Sequence, residues 1–371
     1  MLLLLCCSCG QKKQEPVMTP WGAITDSIPA DSDFDLDDIQ RNGELIGLTL
    51  TGPDTYYDYH GRHLGMQYLL AQRFADSIGV MLRMEVCRDS IEMLQRLADG
   101  DGDVICYPMT KEGIGWMVGD NKEDLEEELA AWFKPSMVDE VKKEEEYLLS
   151  SRSVKRRVFA PMLDKSGGVI SHYDSYFQRY AATIRWDWRL MAAQCYQEST
   201  FDPQARSWAG ACGLMQIMPS TADHLGLPRS CIFDPEKNIA AAAKYLGELE
   251  HSFSDIRERT ERTKFILAAY NGGHFHIRDA MALAKKNGKN PYRWADVEYF
   301  VLGLTQAQYY NDPVVKYGYM RGSETVDYVR KIHERWNGYR GVRTVRSTLA
   351  PSATPQKAKR ERKKKYQIDP E

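Results

Sequence analysis

One carboxylate stands out for the residues around it. Glu198 lies in Gln197-Glu198-Ser199-Thr200, at the close of a run with helical spacing. It is followed by Ser207-Trp208-Ala209-Gly210-Ala211-Cys212-Gly213-Leu214-Met215-Gln216-Ile217-Met218-Pro219. Glycines bracket that loop, and a proline opens the next helix. Such a frame can hold one carboxyl group in a half-buried cleft. Cleaving a glycosidic bond requires a proton on the leaving oxygen as the sugar becomes oxocarbenium-like, and most enzymes use two carboxyl groups for it. An acid that works near neutral pH needs a raised pKa, from desolvation or from nearby negative potential. The run before Glu198 is apolar on one face, and a helix C-terminus carries partial negative charge that disfavours a carboxylate. Glu198 is therefore the candidate general acid. A lone Glu is most often a surface residue, so its neighbours must carry the reading.

No second catalytic carboxylate is evident. Asp202 precedes Pro203 and reads as a turn residue, and Asp223 falls at a helix start. This favours intramolecular attack over hydrolysis. His274 and His276 are two apart at a helix start, do not converge, and have no Cys or carboxylate to complete a metal set. No metal or other cofactor is expected. Gln216 and Asn271 are poor core residues, because a buried amide needs several partners. Tyr270 and Met218 suit core packing and a cleft wall equally.

The elements that must position these residues are helical. From about Ile170 onward, apolar residues recur at helical spacing. Ile184, Trp188, Met191 and Cys195 share one face of a helix ending near Glu198. Asp234-Pro235 reads as a cap followed by proline at the first helical position. Ile239, Ala243, Leu246 and Leu249 form the stripe that follows. Phe265 to Tyr270 starts another helix, broken at Asn271-Gly272-Gly273. Ser323 can cap a last helix carrying Val326, Val329, Ile332 and Trp336. A short β-like insert is expected around Cys212 to Ile217.

Upstream, Glu44 to Pro108 alternates strands with helices, which implies a parallel α/β sheet. Leu45 to Leu50, Met81 to Val86 and Asp103 to Tyr107 are the strands. Leu64 to Ile78 and a helix capped by Ser90 lie between them. Another helix is expected from about Lys122 to Phe133. Asp99-Gly100-Asp101-Gly102-Asp103 is superficially a calcium loop. Thr110 stands where a bidentate Glu is needed, so a turn is the better reading. The acidic run Glu123 to Glu146 reads as a solvated helical face.

The fold class is thus α+β in two domains: a small α/β domain over residues 43–150 and an α-rich domain over 170–340, joined by a linker at 151–169. Residues 10–42 read as a flexible tether, and 341–371 as a basic, disordered tail suited to loose attraction to anionic wall polymer or lipid. A formal net charge of −3 gives no bias toward nucleic acid. The first nine residues are apolar and Cys-rich, too short to span a bilayer, and resemble the end of a bacterial lipoprotein signal. Cys9 is the expected acylation site and Cys7 the alternative. Five further cysteines follow, Cys87, Cys106, Cys195, Cys212 and Cys231, so an odd one is left unpaired.

The α/β segment resembles the first lobe of extracellular solute-binding proteins of the amino-acid-binding class. The matching text is Gly43-Glu44-Leu45, Tyr56-Tyr57, Gly61 to Gly65, Phe74 to Val80, and Leu97-Ala98-Asp99-Gly100 with Asp103-Val104. The stretch that would build a second lobe is missing. A scaffold, or a contact for cell-wall proteins, is as well supported as solute sensing.

The helical segment resembles the lytic murein transglycosylases of the soluble-lytic-transglycosylase superfamily, which share a lysozyme-like fold. The resemblance rests on Gln197-Glu198-Ser199, on Ser207 with Gly210-Ala211, and on Gly213 to Pro219 with Thr221-Ala222. It continues through Asn238-Ile239 with Tyr245-Leu246, Ala268 to Gly273, and Glu324-Thr325 with Tyr328-Val329. With the solute-binding-like segment and lipoprotein signal, the whole resembles the membrane-bound F type. The resemblance implies that Glu198 protonates the oxygen between N-acetylmuramic acid and N-acetylglucosamine, then deprotonates the muramyl C6 hydroxyl, leaving a 1,6-anhydromuramyl end. It implies that Ser207, Gln216 and Met218 line the cleft and that Tyr270 and Asn271 sit near the reacting sugar. Glu324 would support the site from deeper, and Ser199 would line it or only cap the helix end. Hydrolytic muramidase and non-catalytic wall-binding lipoprotein are the alternatives. The implied location is the cell envelope, facing the periplasm, on the outer membrane.

Overall fold

The computed structural model describes residues 34–110, 114–149 and 168–340, together with the backbone of a two-residue ribbon pairing β1 (Met18–Thr19) with β2 (Gly22–Ala23). The expected signal, most of the linker and the basic tail lie outside the described residues. The described chain builds an α/β unit and a helical unit with separate cores.

The tether ends earlier than the sequence suggested. Residues 36–42 form α1 (Leu36–Asn42), opened by a capping box between Asp35 and Asp38 and closed by Gly43 in the left-handed region. The Asp35 carboxylate also accepts the N–H groups of Asp124 and Leu125 at 2.8 and 3.0 Å, at the start of α4 (Glu123–Trp132). One side chain thus satisfies orphan donors of two helices.

The sheet runs β6 (Met81–Val86), β3 (Glu44–Thr49), β7 (Val104–Ile105), β8 (Met117–Val118). β3 is parallel to β6 and β7, with Glu44 opposite Met81 and Gly47 opposite Val104, and β8 closes antiparallel. Parallel pairing follows from the crossovers α2 (Met66–Ile78) and α3 (Ser90–Ala98). Asp89, not Ser90, caps α3, accepting from Ile91 and Glu92. Leu45, Leu70, Phe74 and Val104 lie at the core of the unit. The Asp-rich segment is a turn whose last carboxylate, Asp103, is buried, accepts the Ile46 N–H at 2.8 Å and pairs with Lys122 at 3.2 Å. The acidic run becomes α4 and α5 (Ser136–Leu149), each burying a narrow apolar side.

A hairpin of β4 (Tyr57–Tyr59) and β5 (Arg62–Leu64) projects from this unit. Its base is held by Glu145 of α5, which accepts from the Tyr57 phenol at 2.7 Å and the Gly65 N–H at 3.1 Å.

The helical unit comprises α6 (Asp174–Thr183), α7 (Trp188–Ser199), α8 (Pro219–Leu225), α9 (Pro235–Ser252), α10 (Arg259–Gly272), α11 (His274–Lys286), α12 (Trp294–Gly303), α13 (Ala307–Tyr310) and α14 (Gly322–Tyr339). α7 packs against α6 and α14, and α10 against α9, α11 and α14. Three boundaries differ from the sequence reading. α10 begins at Arg259 and continues through Asn271 and Gly272, and α14 starts at Gly322, so Ser323 sits inside its first turn. The expected β-like insert is a pair of isolated bridges, Arg206–Cys212 and Cys212–Ile217. All five described cysteines are free thiols.

The two units meet where Thr51 Oγ1 accepts the Tyr319 N–H at 3.0 Å and Tyr57 meets the Tyr319 ring edge-on.

Candidate active site

Glu198 occupies the last turn of α7. Asp187 caps the helix start by accepting from Arg189 at 3.0 Å. Two consecutive residues without the freedom of glycine, Thr200 (φ +54) and Phe201 (φ +62), turn the chain out of the helix in left-handed conformation. Ser199 is fully buried, and its hydroxyl donates to the Leu214 carbonyl at 2.8 Å. It ties the helix end to the following loop and contributes no group to the cleft.

That loop is fixed by α9. Asn238 is buried; its amide donates to the carbonyls of Ile232 (2.8 Å) and Cys212 (3.1 Å) and accepts the Met215 N–H at 2.8 Å. Gly213 sits at φ +77, where an added Cβ would lie 2.6 Å from the Asn238 amide nitrogen. Only glycine fits there. Gln216, at φ +48, donates to the carbonyls of Gly213 (2.9 Å) and Ala205 (3.2 Å). Ser207 Oγ accepts from Ala211 at 3.0 Å, and Met218 precedes Pro219 as the cap of α8. Asp202 is buried in a turn and accepts the Gln204 N–H at 2.9 Å.

Two helices close the site. Tyr270 of α10 donates its phenol to the Met215 carbonyl at 2.8 Å, and the neighbouring Asn271 accepts from Thr325 at 2.7 Å. From α14, Tyr328 donates to Glu198 Oε1 at 2.5 Å. Burial, and then the charge of Glu198, pushes both phenols well above their ordinary range. Both therefore stay protonated. Glu198, Ser207, Gln216, Met218, Tyr270, Asn271 and Glu324 all border one cleft of about 1450 Å³.

Glu324 is placed differently from the expectation. Its side chain is 44% exposed rather than deep, and it accepts from the Tyr59 phenol at 2.5 Å and bonds His60 Nε2 at 3.3 Å. Both partners belong to the hairpin of the other unit. The hairpin also lays Tyr59 parallel to Trp208, with 6.0 Å between ring centroids, and Arg62 donates to the Ala209 carbonyl at 3.1 Å. The cleft is thus walled by both units. In the sequence Tyr328 stands out only as part of the Tyr328-Val329 pair. Its spacing of four from Glu324, on one helix face, is the signal that could have marked it. Among the described residues no group of three or more His, Cys, Asp or Glu side chains could hold a metal.

The helical unit that carries this cleft is matched over residues 175–293 by the family model described as "Transglycosylase SLT domain". That span includes Glu198, Gln216, Tyr270 and Asn271 and stops before Glu324 and Tyr328. More particularly, the chain is similar to proteins named membrane-bound lytic murein transglycosylase F. One from Desulfosudis oleivorans is 44% identical over 146 residues, 39% of this chain and 31% of that protein. One from Serratia proteamaculans is 35% identical over 269 residues, 66% of this chain and 54% of that protein. Among solved structures, the 70 kDa soluble lytic transglycosylase of Escherichia coli is 27% identical, covering 45% of this chain and 24% of that one, with a TM-score of 0.33. The match to the Desulfosudis relative spans about a third of that protein's length, and the match to the Serratia relative about half. No helix among the described residues is long and apolar enough to cross a membrane.

Proposed function

We propose that this protein is a peptidoglycan lytic transglycosylase in which Glu198 acts first as acid and then as base. The observation that carries the reading is Glu198 at the end of α7, one carboxylate oxygen fixed by Tyr328, bordering a cleft of about 1450 Å³. The names of the relatives agree with it.

Protonated Glu198 gives its proton to the oxygen between N-acetylmuramic acid and N-acetylglucosamine. The C1–O bond breaks and the N-acetylglucosamine side leaves as an alcohol. The carboxylate then takes the proton of the muramyl C6 hydroxyl, whose oxygen bonds to C1. Glu198 is protonated again, and no water is consumed. Tyr328 and Tyr270 border the carboxylate as neutral phenols, which suits a site where positive charge develops on the sugar. Asn271, oriented by Thr325, faces the substrate. Gln216, Ser207 and Met218 border the same cleft. Ser199 and Glu324 act through position, the first on the helix end and the second on the hairpin. The domain boundaries given above are proposed with the same reading, with the tether shortened to end before Asp35.

Cys9 is the proposed lipidated residue, holding the protein at the periplasmic side of the bacterial envelope, on the outer membrane. The α/β unit is proposed as a contact for cell-wall protein partners. Mass spectrometry of digested peptidoglycan tests the chemistry. Anhydromuramyl ends support ring closure. Reducing ends mean that water is the attacking group and the protein is a muramidase.

A further inference from the structure

Two aromatic rings outside the Glu198 cluster stand open to the cleft. Phe275 and Tyr317 are 53% and 47% exposed, and their rings stack with centroids 4.4 Å apart at 12°. Both border the cavity that holds Glu198. Two histidines meet the pair edge-on, His274 against Phe275 at 5.0 Å and His276 against Tyr317 at 6.3 Å.

Apolar rings normally turn away from water. These two are held outward by one helix. Phe275 sits in the first turn of α11, directly after the turn at Gly273. Asp279, one turn further on and buried, accepts the backbone N–H groups of Lys316 at 3.0 Å and Tyr317 at 2.7 Å. The element that carries Phe275 therefore also clamps the backbone of Tyr317. A stacked pair fixed in this way loses little freedom when something lies against it. The core does not need these rings, since α11 buries Ile277, Ala280, Met281 and Leu283 on its other side.

We propose that Phe275 and Tyr317 form a sugar-stacking platform. It takes the apolar face of an N-acetylated pyranose in a glycan strand, at a position separate from the bond that Glu198 addresses. A pyranose ring presents axial C–H groups on one face, and a rigid aromatic surface matches them without spending hydrogen bonds. This inference rests on reading the cleft as a glycan site. It adds that affinity should grow with strand length through these two residues.

The test is calorimetric binding of chitohexaose and chitotriose to the full chain carrying Glu198→Gln, which removes turnover. The same protein with Phe275→Ala and Tyr317→Ala is run beside it. Hexaose affinity is expected to fall roughly three- to tenfold, and the preference for hexaose over triose to shrink accordingly. Phe275→Tyr with Tyr317→Phe, which keeps both rings, should restore the affinity. An unchanged hexaose affinity, an equal loss for both oligomers, or no binding of hexaose before the rings are removed would overturn the proposal. Cleavage by the unsubstituted chain is read separately. Ring-dependent binding without any cleavage would sink the role of Glu198 and leave the platform standing.

Discussion

Tyr328 donates its phenolic proton to Glu198 at 2.5 Å, joining residues 130 apart in the chain at the crossing of α14 and α7. The bond fixes the carboxylate from a helix that lies outside the stretch matched by the SLT family model. A hydrogen bond of this kind sets where the carboxyl group points.

Tyr328→Phe keeps the ring and removes that donor. Turnover on peptidoglycan should fall about ten- to hundredfold, the order expected when a catalytic group is no longer held in its reacting position. The thermal unfolding midpoint should fall by only a few degrees, because the ring still packs although the carboxyl group loses one donor. Full activity in Tyr328→Phe would show that Glu198 is positioned by other contacts.

Gly213→Ala places a Cβ at φ +77, 2.6 Å from the Asn238 amide and 2.8 Å from the Ile232 carbonyl. Both atoms belong to the fixed framework of the loop. The substitution should cost about 2–4 kcal/mol in urea unfolding, from backbone strain and overpacking together. It should also lower activity by moving Gln216. Near-native stability would mean that the loop adjusts freely.

The contact between hairpin and helical unit should depend on pH. Burial lowers the His60 pKa, but the bond to Glu324 and the charges of Glu324, Glu198 and Asp58 outweigh it, leaving His60 above its ordinary 6.5. Burial raises Glu324, but His60, Tyr59 and Arg321 outweigh it, leaving Glu324 below its ordinary 4.5. The His60 contribution is complete below pH 6.5 and is lost as pH rises through its raised value. The Glu324 contribution is complete above pH 4.5 and is lost as pH falls through its lowered value. The contact is therefore strongest between about pH 4.5 and 6.5. Protection of the hairpin amides against hydrogen exchange, taken relative to the intrinsic rate at each pH, should be highest in that window, and His60→Asn should flatten the profile on its alkaline side. A profile unchanged by His60→Asn would exclude the pair as its cause.

Replacing both Cys7 and Cys9 by Ser should move the protein from the membrane fraction to the soluble fraction. Continued membrane association would rule out anchoring through these cysteines.

These predictions draw on residues that were not equally legible. Glu198, Gln216 and Asn271 could be found because glycine and proline punctuate their loops and because buried amides demand partners. The parallel pairing of β3, β6 and β7 followed from strands alternating with helices of period 3.6, while the two-residue antiparallel β8 was too short to show. Helix α1 was missed because Leu36 and Ile39 are its only aliphatic side chains among acidic and polar neighbours, so it read as tether; its capping box is the local signal that was there. The β4–β5 hairpin has strands of three residues, too short to show alternation. The bond from Tyr59 to Glu324 spans 265 residues between two folding units, and no local period encodes it. Glu324 was consequently expected deep in the site and is found at the seam.

The central claim is that Glu198 carries the chemistry. It is tested most directly by digesting purified peptidoglycan with the chain from Gly10 onward and with its Glu198→Gln variant, and reading the product ends by mass spectrometry. The account predicts 1,6-anhydromuramyl ends from the unsubstituted protein and none from Glu198→Gln, with both proteins equally folded. Anhydromuramyl ends from Glu198→Gln at an undiminished rate would contradict it.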